Sequence, residues 1–509
     1  MKNRNTGIIL SYANMIATTV CGLFFSSFLL RRLGDTEYGL YQTMASFANY
    51  LVLLEFGTGT VMTRNITACK AKGGSKEEIE RNISTIWSIT GLLSLLLLTV
   101  SVGLYFLTDL LYADTLSAGQ IAHGKDILVF ITIYLLASFS SQTISGVALA
   151  FEKYSFQPII SLLRLAARLV LLISLLLYTD NAIAVAIVDA SLGVITAITG
   201  YVYCRRKLSV RFSFRSFSAK IFKASLPFCL AIFLQGIVNQ ANSNVGKFIL
   251  GIKVGPEEVA LFSVGLYIYS IFSSITTIPI SLYQPQIVQA VSLGKTERTL
   301  TACLIPPSRL IAFLGGTVLF GFVAVGRPFV DVVYGKNYEV AWVVALILMV
   351  PMFFNMTSGS VINVLDALDK RLIRSVVLVI MALVNIVLTI CLINFCGMIG
   401  SAIATAICML IGQIVIMNIY YSRCIGIRVL QLYREAYKGI LLYQIIGAIA
   451  GYTVSECTAS ALLAMILGGI VYILVSWGGY LLFGQTKQEK ELFRKFLSKF
   501  HPTLKGDHP

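Results

Sequence analysis

The chain is short of charge. Only 13% of its 509 residues are Asp, Glu, Lys or Arg, while 57% are hydrophobic, and mean hydropathy is +0.82. A soluble globular domain carries about 25% charged residues, so that class is excluded. Histidine is scarcer still: His123, His501 and His508 lie in loop or tail stretches, which leaves no cluster able to hold a metal. The ten cysteines include no C-x-x-C pair. Cys21, Cys229, Cys391 and Cys408 sit inside apolar runs, which excludes a disulfide framework and makes them small buried hydrophobes. There is no phosphate loop, no G-x-S-x-G elbow, no H-E-x-x-H helix and no facing carboxylate pair, so nothing supports an enzyme. Polar segments are also short. The longest gap between apolar runs, residues 63–83, is too small to fold as a domain of its own. The charge that is present is basic, 40 Lys and Arg against 24 Asp and Glu. It is confined to the gaps, as in loops at a membrane surface and unlike a nucleic-acid face.

What fills the sequence is apolar runs long enough to cross a bilayer as helices. They fall near residues 7–30, 39–62, 84–108, 126–149, 158–178 and 182–203, then 224–247, 258–283, 304–326, 341–363, 375–395 and 398–420, then 440–456 and 459–483. The expected fold is an all-α membrane protein of about fourteen transmembrane helices. Lys2 and Arg4 ahead of the first run imitate a signal peptide, but the run exceeds a signal h-region and fits an uncleaved span.

The chain repeats itself. Residues 28–43 read FLLRRLGDTEYGLYQT and residues 248–263 read FILGIKVGPEEVALFS. Gly34, Glu37, Leu40 and Tyr41 match Gly255, Glu258, Leu261 and Phe262 at a constant offset of 221. A period this long marks a duplicated lobe and not a solenoid unit. The expected organisation is a six-helix lobe at 1–203, a basic linker at 204–223, a second six-helix lobe at 224–420, two additional helices within 421–483 and a tail at 484–509. Thirty Lys and Arg fall in one set of alternate gaps and seven in the other, with Arg164, Arg168 and Arg309 inside spans. This asymmetry places both termini and the linker in the cytoplasm and makes the lobes parallel repeats. The linker mixes seven basic residues with Phe212, Phe214, Phe217 and Phe222, which fits either a segment on an anionic leaflet or a plain basic loop. In the tail, Phe493, Phe496, Leu497 and Phe500 recur at helical spacing, as in a short interfacial helix or a solvated end.

Ionisable residues inside spans are the candidate site. Arg164 and Arg168 lie four apart in the fifth span, so one helix face carries both guanidinium groups above Ser161. They suit a diphosphate, or else Glu55 of span two or Asp189 of span six neutralises them. Glu55 and Asp189 are therefore candidates for ion coupling or for charge pairing. Gln235, Asn239 and Asn242 share one face of span seven and line a polar interior or bond neighbouring helices. Arg309 and Lys247, near span ends, read as snorkelling interface residues.

Several features together resemble a known family. They are LLRRLGDTEYGLYQ after span one, Glu55-Phe56-Gly57 followed by Arg64 in span two, LDALDK at 365–370, Asn385, and GMIGSAIATAI at 397–407. In order and spacing the chain resembles the polysaccharide (O-antigen type) flippases of the multidrug, oligosaccharidyl-lipid and polysaccharide exporter superfamily. The resemblance implies two lobes around a central cavity and alternating access. It also implies transfer of undecaprenyl-pyrophosphate-linked oligosaccharide from inner to outer leaflet of the bacterial cytoplasmic membrane. Arg64 joins Arg164, Arg168 and the amides as a candidate substrate contact. No cofactor is implied, only H⁺ or Na⁺ coupling; partners would be the lipid-linked oligosaccharide, membrane lipids, a polysaccharide polymerase and glycosyltransferases. Span seven departs from the pattern by carrying amides where many relatives place a carboxylate. A multidrug-type antiporter, a lipid II flippase and a glycan polymerase or ligase are the competing readings; fixed cations at Arg164 and Arg168 count against the first, and the lack of a large outer loop against the last.

Overall fold

A computed structural model describes residues 2–71, 73–214, 216–293, 296–368, 370–486 and 489–490. Among these the chain is helical throughout and has no strand. Lipid offers no partner for a bare N–H or C=O, so the apolar runs close their hydrogen bonds internally as helices. The helices are α1 (Lys2–Leu51), α2 (Thr58–Ala71), α3 (Lys76–Leu111), α4 (Ala118–Ala150), α5 (Phe156–Leu176), α6 (Ala182–Lys207), α7 (Ala219–Lys253) and α8 (Pro256–Ser292). They continue as α9 (Glu297–Tyr334), α10 (Glu339–Thr357), α11 (Val361–Ala367), α12 (Arg371–Cys408), α13 (Met417–Cys424), α14 (Val429–Tyr437), α15 (Leu441–Glu456) and α16 (Ala461–Gly479).

Among the described residues, ten helical stretches are long and apolar enough to cross a membrane. The two longest, Ala13–Lys70 and Ile373–Cys424, run 58 and 52 residues, more than twice the length one crossing needs. Each is a kinked pair: α1 bends at Gly34 (φ 74°) and α12 at Gly397 (φ 51°). Positive φ at these two points is what glycine permits and other residues resist. Counting each pair as two, and adding α7 and α15, recovers fourteen crossings.

Two sequence expectations change. The stretch at 63–83 is not a loop: α2 runs to Ala71 and α3 starts at Lys76, where Ser75 and Glu78 form a capping box. Span two is not continuous; a 3₁₀ turn at Val52–Glu55 ends in left-handed Phe56 (φ 53°) and Gly57 (φ 66°) before α2 begins.

The helices gather into two compact units, Met1–Tyr267 with Leu378–Thr405, and Ile268–Val377 with Ala406–Pro509. This spatial division is drawn by packing, whereas the repeat boundary is drawn by sequence correspondence. In the first unit, α4 packs on α2, α3 and α6. Val61, Met62 and Ile66 meet Ile83, Ile86, Ile144, Val147 and Cys204 in one buried cluster. The two copies of the repeated motif touch here, because a Cβ on Gly39 would fall 1.9 Å from the Pro256 carbonyl oxygen. They also do the same job: Glu37 accepts the N–H of Ala182, first residue of α6 (3.2 Å), and Glu258 accepts the N–H of Met398 just past the α12 kink (3.3 Å). Both carboxylates thus satisfy orphan donors at a helix start. In the second unit, α9 is wrapped by α10, α14, α15 and α16. Small residues allow the close approach of α15 and α16 at Gly451 and Gly468, and Gln444 and Tyr472 bond carbonyls of α9 at Phe313 (3.0 Å) and Thr317 (2.9 Å).

Candidate functional site

The first unit holds a cavity of about 480 Å³ bounded by α1, α4, α5 and α6. Tyr41, Gln42 and Asn49 line it from α1, Tyr134 from α4, Ser161, Arg164 and Arg168 from α5, and Asp189 from α6. The helical rise brings Arg164 and Arg168 onto one face of α5, as the four-residue spacing requires.

The two arginines have different company. Arg168 donates through Nε to Asp189 Oδ1 (2.5 Å) and through Nη2 to Oδ2 (2.9 Å), and the Tyr41 hydroxyl donates to the same Oδ2 (3.2 Å). Arg164 stands over the Tyr134 ring at 5.0 Å, and among the described residues no carboxylate is within ion-pairing reach of it. Arg168 and Asp189 cancel, so Arg164 leaves one positive charge facing the cavity. In a low-dielectric wall such a charge focuses attraction on an anion. A further cation approaches from α7: Lys247 Nζ donates to Gln42 Oε1 (3.4 Å). Gln240 of α7 bonds the carbonyl of Asn49 on the cavity wall.

Of the candidates read from sequence, the structure brings together Arg164, Arg168 and Asp189. Glu55 is elsewhere, at the break in span two, where Thr58 Oγ1 donates to Oε1 (3.3 Å) and lies 2.9 Å from Thr143, itself 2.9 Å from Thr90. It neutralises neither arginine; Asp189 does this for Arg168 alone. Arg64 is exposed, stacked 4.2 Å over the Phe228 ring, and does not line the cavity. The side chains of Gln235, Asn239 and Asn242 lie outside the described residues, as does the tail at 492–500.

Arg309 corrects an expectation. It does not snorkel: it is 5% exposed, grips Glu489 with Nε and Nη2 (2.7 and 3.0 Å), and donates to the carbonyls of Glu435 (2.6 Å) and Lys438 (3.0 Å). Lys247 likewise turns to a partner within the protein, the half-buried Gln42 amide on the cavity wall. Sequence reasoning passed over Tyr134, Gln42 and Asn49, polar groups in apolar runs whose only signal was their residue type.

Several solved structures share this fold. The lipid II flippase MurJ in an inward closed conformation superposes with a TM-score of 0.73 at 16% identity, covering 94% of this chain and 100% of that one. An inward-facing multidrug resistance MATE family transporter of the MOP superfamily gives 0.64 at 14% identity, covering 84% and 99%. The eukaryotic MATE transporter AtDTX14 gives 0.57 at 16% identity, covering 86% and 99%. No curated protein sequence matches the chain. Residues 4–291 match the family described as "Polysaccharide biosynthesis protein", which is more than half of the 509 residues. The chain is therefore a multi-pass membrane protein that belongs to the polysaccharide biosynthesis protein family.

Proposed function

We propose that this protein is a transporter and not an enzyme, and that it moves undecaprenyl-pyrophosphate-linked oligosaccharide from the inner to the outer leaflet of a bacterial cytoplasmic membrane. One observation carries the reading: in a cavity wall inside the membrane-spanning helices no carboxylate among the described residues pairs with Arg164, while Arg168 is already paired. A cation in the bilayer costs about 2.5–3.5 kcal/mol on insertion scales, and a passing diphosphate offsets that cost. The fork of two guanidiniums expected from the sequence becomes one available guanidinium, held beside an Arg–Asp pair that fixes the wall. Family membership supports the polysaccharide context, the likeness to flippase and transporter folds supports alternating access by two six-helix lobes at 1–203 and 224–420, and the excess of Lys and Arg in alternate gaps of the sequence supports cytoplasmic termini. Coupling to H⁺ or Na⁺ through Glu55 belongs to the same reading. A polymerase and glycosyltransferases would be its functional partners.

A lipid II substrate is the second reading, favoured by the similarity to the lipid II flippase. A cationic drug is disfavoured by the same Arg164. Complementation separates them. In a strain lacking its oligosaccharide flippase, the native chain restores surface polysaccharide, and Arg164→Ala abolishes export with membrane protein level unchanged. Rescue of a lipid II flippase-deficient strain instead assigns the second reading. Full export by Arg164→Ala removes the residue from the mechanism, and loss of the protein itself makes its role structural.

A further inference from the structure

The segment between α6 and α7 is not a free loop. Val210 is 4% exposed and its N–H bonds the Cys204 carbonyl (3.2 Å), the Phe212 ring lies 4.7 Å from Trp87 of α3, and the Ser218 N–H bonds Thr85 Oγ1 (3.1 Å). Phe214 follows, 6.5 Å from Trp87, with its edge against Gly91, where a Cβ would meet Cε1 at 3.0 Å. The apolar part of α3 begins at Ile83, so Gly91 lies about 12 Å further in by the helical rise. Leu95, one turn on along the same face, is 60% exposed, as a lipid-facing residue is. Phe214, itself 63% exposed, therefore rests on the lipid-facing side of α3 below the membrane surface, and Phe217, three residues on, is half-exposed.

Above this anchor, the start of α3, the end of α6 and residues 209–213 enclose a second cavity of about 850 Å³. Lys76, Arg205 and Arg211 line it, with Glu77 and Glu80 on the α3 wall. None of the three cations is ion-paired among the described residues. Arg206, Lys207, Lys220 and Lys223 add like charge close by in the sequence.

We propose that this cavity is a headgroup site for an anionic phospholipid of the surrounding leaflet. The phosphate sits among Lys76, Arg205 and Arg211, and the acyl chains run along α3 beside Phe214 and Leu95. Charge complementarity selects the headgroup, and the aromatic anchor sets the depth at which the cations meet it. The proposal is independent of what the protein transports.

Trp87 reports on the site. Trp342→Phe and Trp477→Phe leave it the sole tryptophan of the full-length chain. In bilayers of phosphatidylcholine, brominated phosphatidylglycerol should quench Trp87 with an association constant at least about fivefold that of brominated phosphatidylcholine, the factor one basic residue supplies at an anionic surface. Arg205→Gln/Arg211→Gln should bring the ratio to unity, and Arg205→Lys/Arg211→Lys should retain it. A ratio near unity before any linker substitution overturns the proposal, whatever the variants do. So does a preference that survives the Gln pair, or one abolished by excess inorganic phosphate, which would make the ligand soluble and not lipid-borne.

Discussion

Arg168 and Arg309 are the same side chain in two settings. Each lies within a membrane-spanning helix and grips one carboxylate with two nitrogens, Asp189 in the first unit and Glu489 in the second. Around Arg309 the remaining donors are taken as well, by the carbonyls of Glu435, Lys438 and Gly484, and the group is sealed at 5% exposure. Around Arg168 the pair faces a cavity, and a second arginine stands one turn away over the Tyr134 ring, with no ion-paired carboxylate among the described residues. The comparison teaches that an intramembrane arginine is not in itself a sign of function. What separates a clamp from a site is whether donors are left over and whether there is room beside them.

The largest expected effect tests that distinction directly. Arg309→Gln strips Glu489 of its cation, leaves three carbonyls without their donor and should destabilise by about 3–5 kcal/mol. Arg164→Gln loses a cation–π contact and should cost only about 0.5–1 kcal/mol while export fails. Thermal unfolding of both purified variants, read beside complementation, checks this; equal destabilisation would erase the contrast.

Next is Asp189→Asn, which strips Arg168 of a charged acceptor and should cost about 1.5–3 kcal/mol. Adding Arg168→Gln should recover part of that loss, since the two changes are coupled. The neutral buried group of α12 supplies the reference. Asn385 shares hydrogen bonds with Thr389 and Thr405, and Asn385→Ala should cost about 0.6 kcal/mol.

Glu37→Gln and Glu258→Gln should each cost about 0.5–1.5 kcal/mol and match one another, because each removes the charge that a helix start attracts. Unequal unfolding temperatures for the two variants would show that the motif copies no longer do equivalent work.

The smallest effect is pH-dependent. Burial pushes the Glu489 carboxyl up, but hydrogen bonds from Arg309 and Thr486 outweigh it and hold the group below its ordinary value of 4.5. A depressed folded value means that the contribution is complete above the ordinary pKa and is lost as pH falls through the folded one. Stability should therefore drop more steeply below pH 4.5 in the native chain than in Glu489→Gln, as unfolding midpoints across an acid series would record.

Much of the site was legible in advance because the signals are local. Apolar runs fix where helices form, and a spacing of four fixes that Arg164 and Arg168 share a face. Asp189 was legible as a partner only in kind, since Glu55 offered a second carboxylate within an apolar run. The break at Phe56–Gly57 was marked only by Glu55 and the glycines at 57 and 59, too short an interruption to divide a run that is apolar on both sides. Arg309 looked like an interface residue because its acceptors are backbone carbonyls and a glutamate 180 positions away.

By itself, then, the sequence determined the solvent the chain folds in, the helices that solvent demands, the duplicated motif and the few charges placed among apolar residues. These follow from composition and from periods no longer than a helical turn or a repeat. Only the tertiary structure decided which carboxylate meets which arginine, because pairing is set by distances between helices remote in sequence. It left Arg164 facing a cavity and closed Arg309 into a clamp, and no local pattern distinguishes the two.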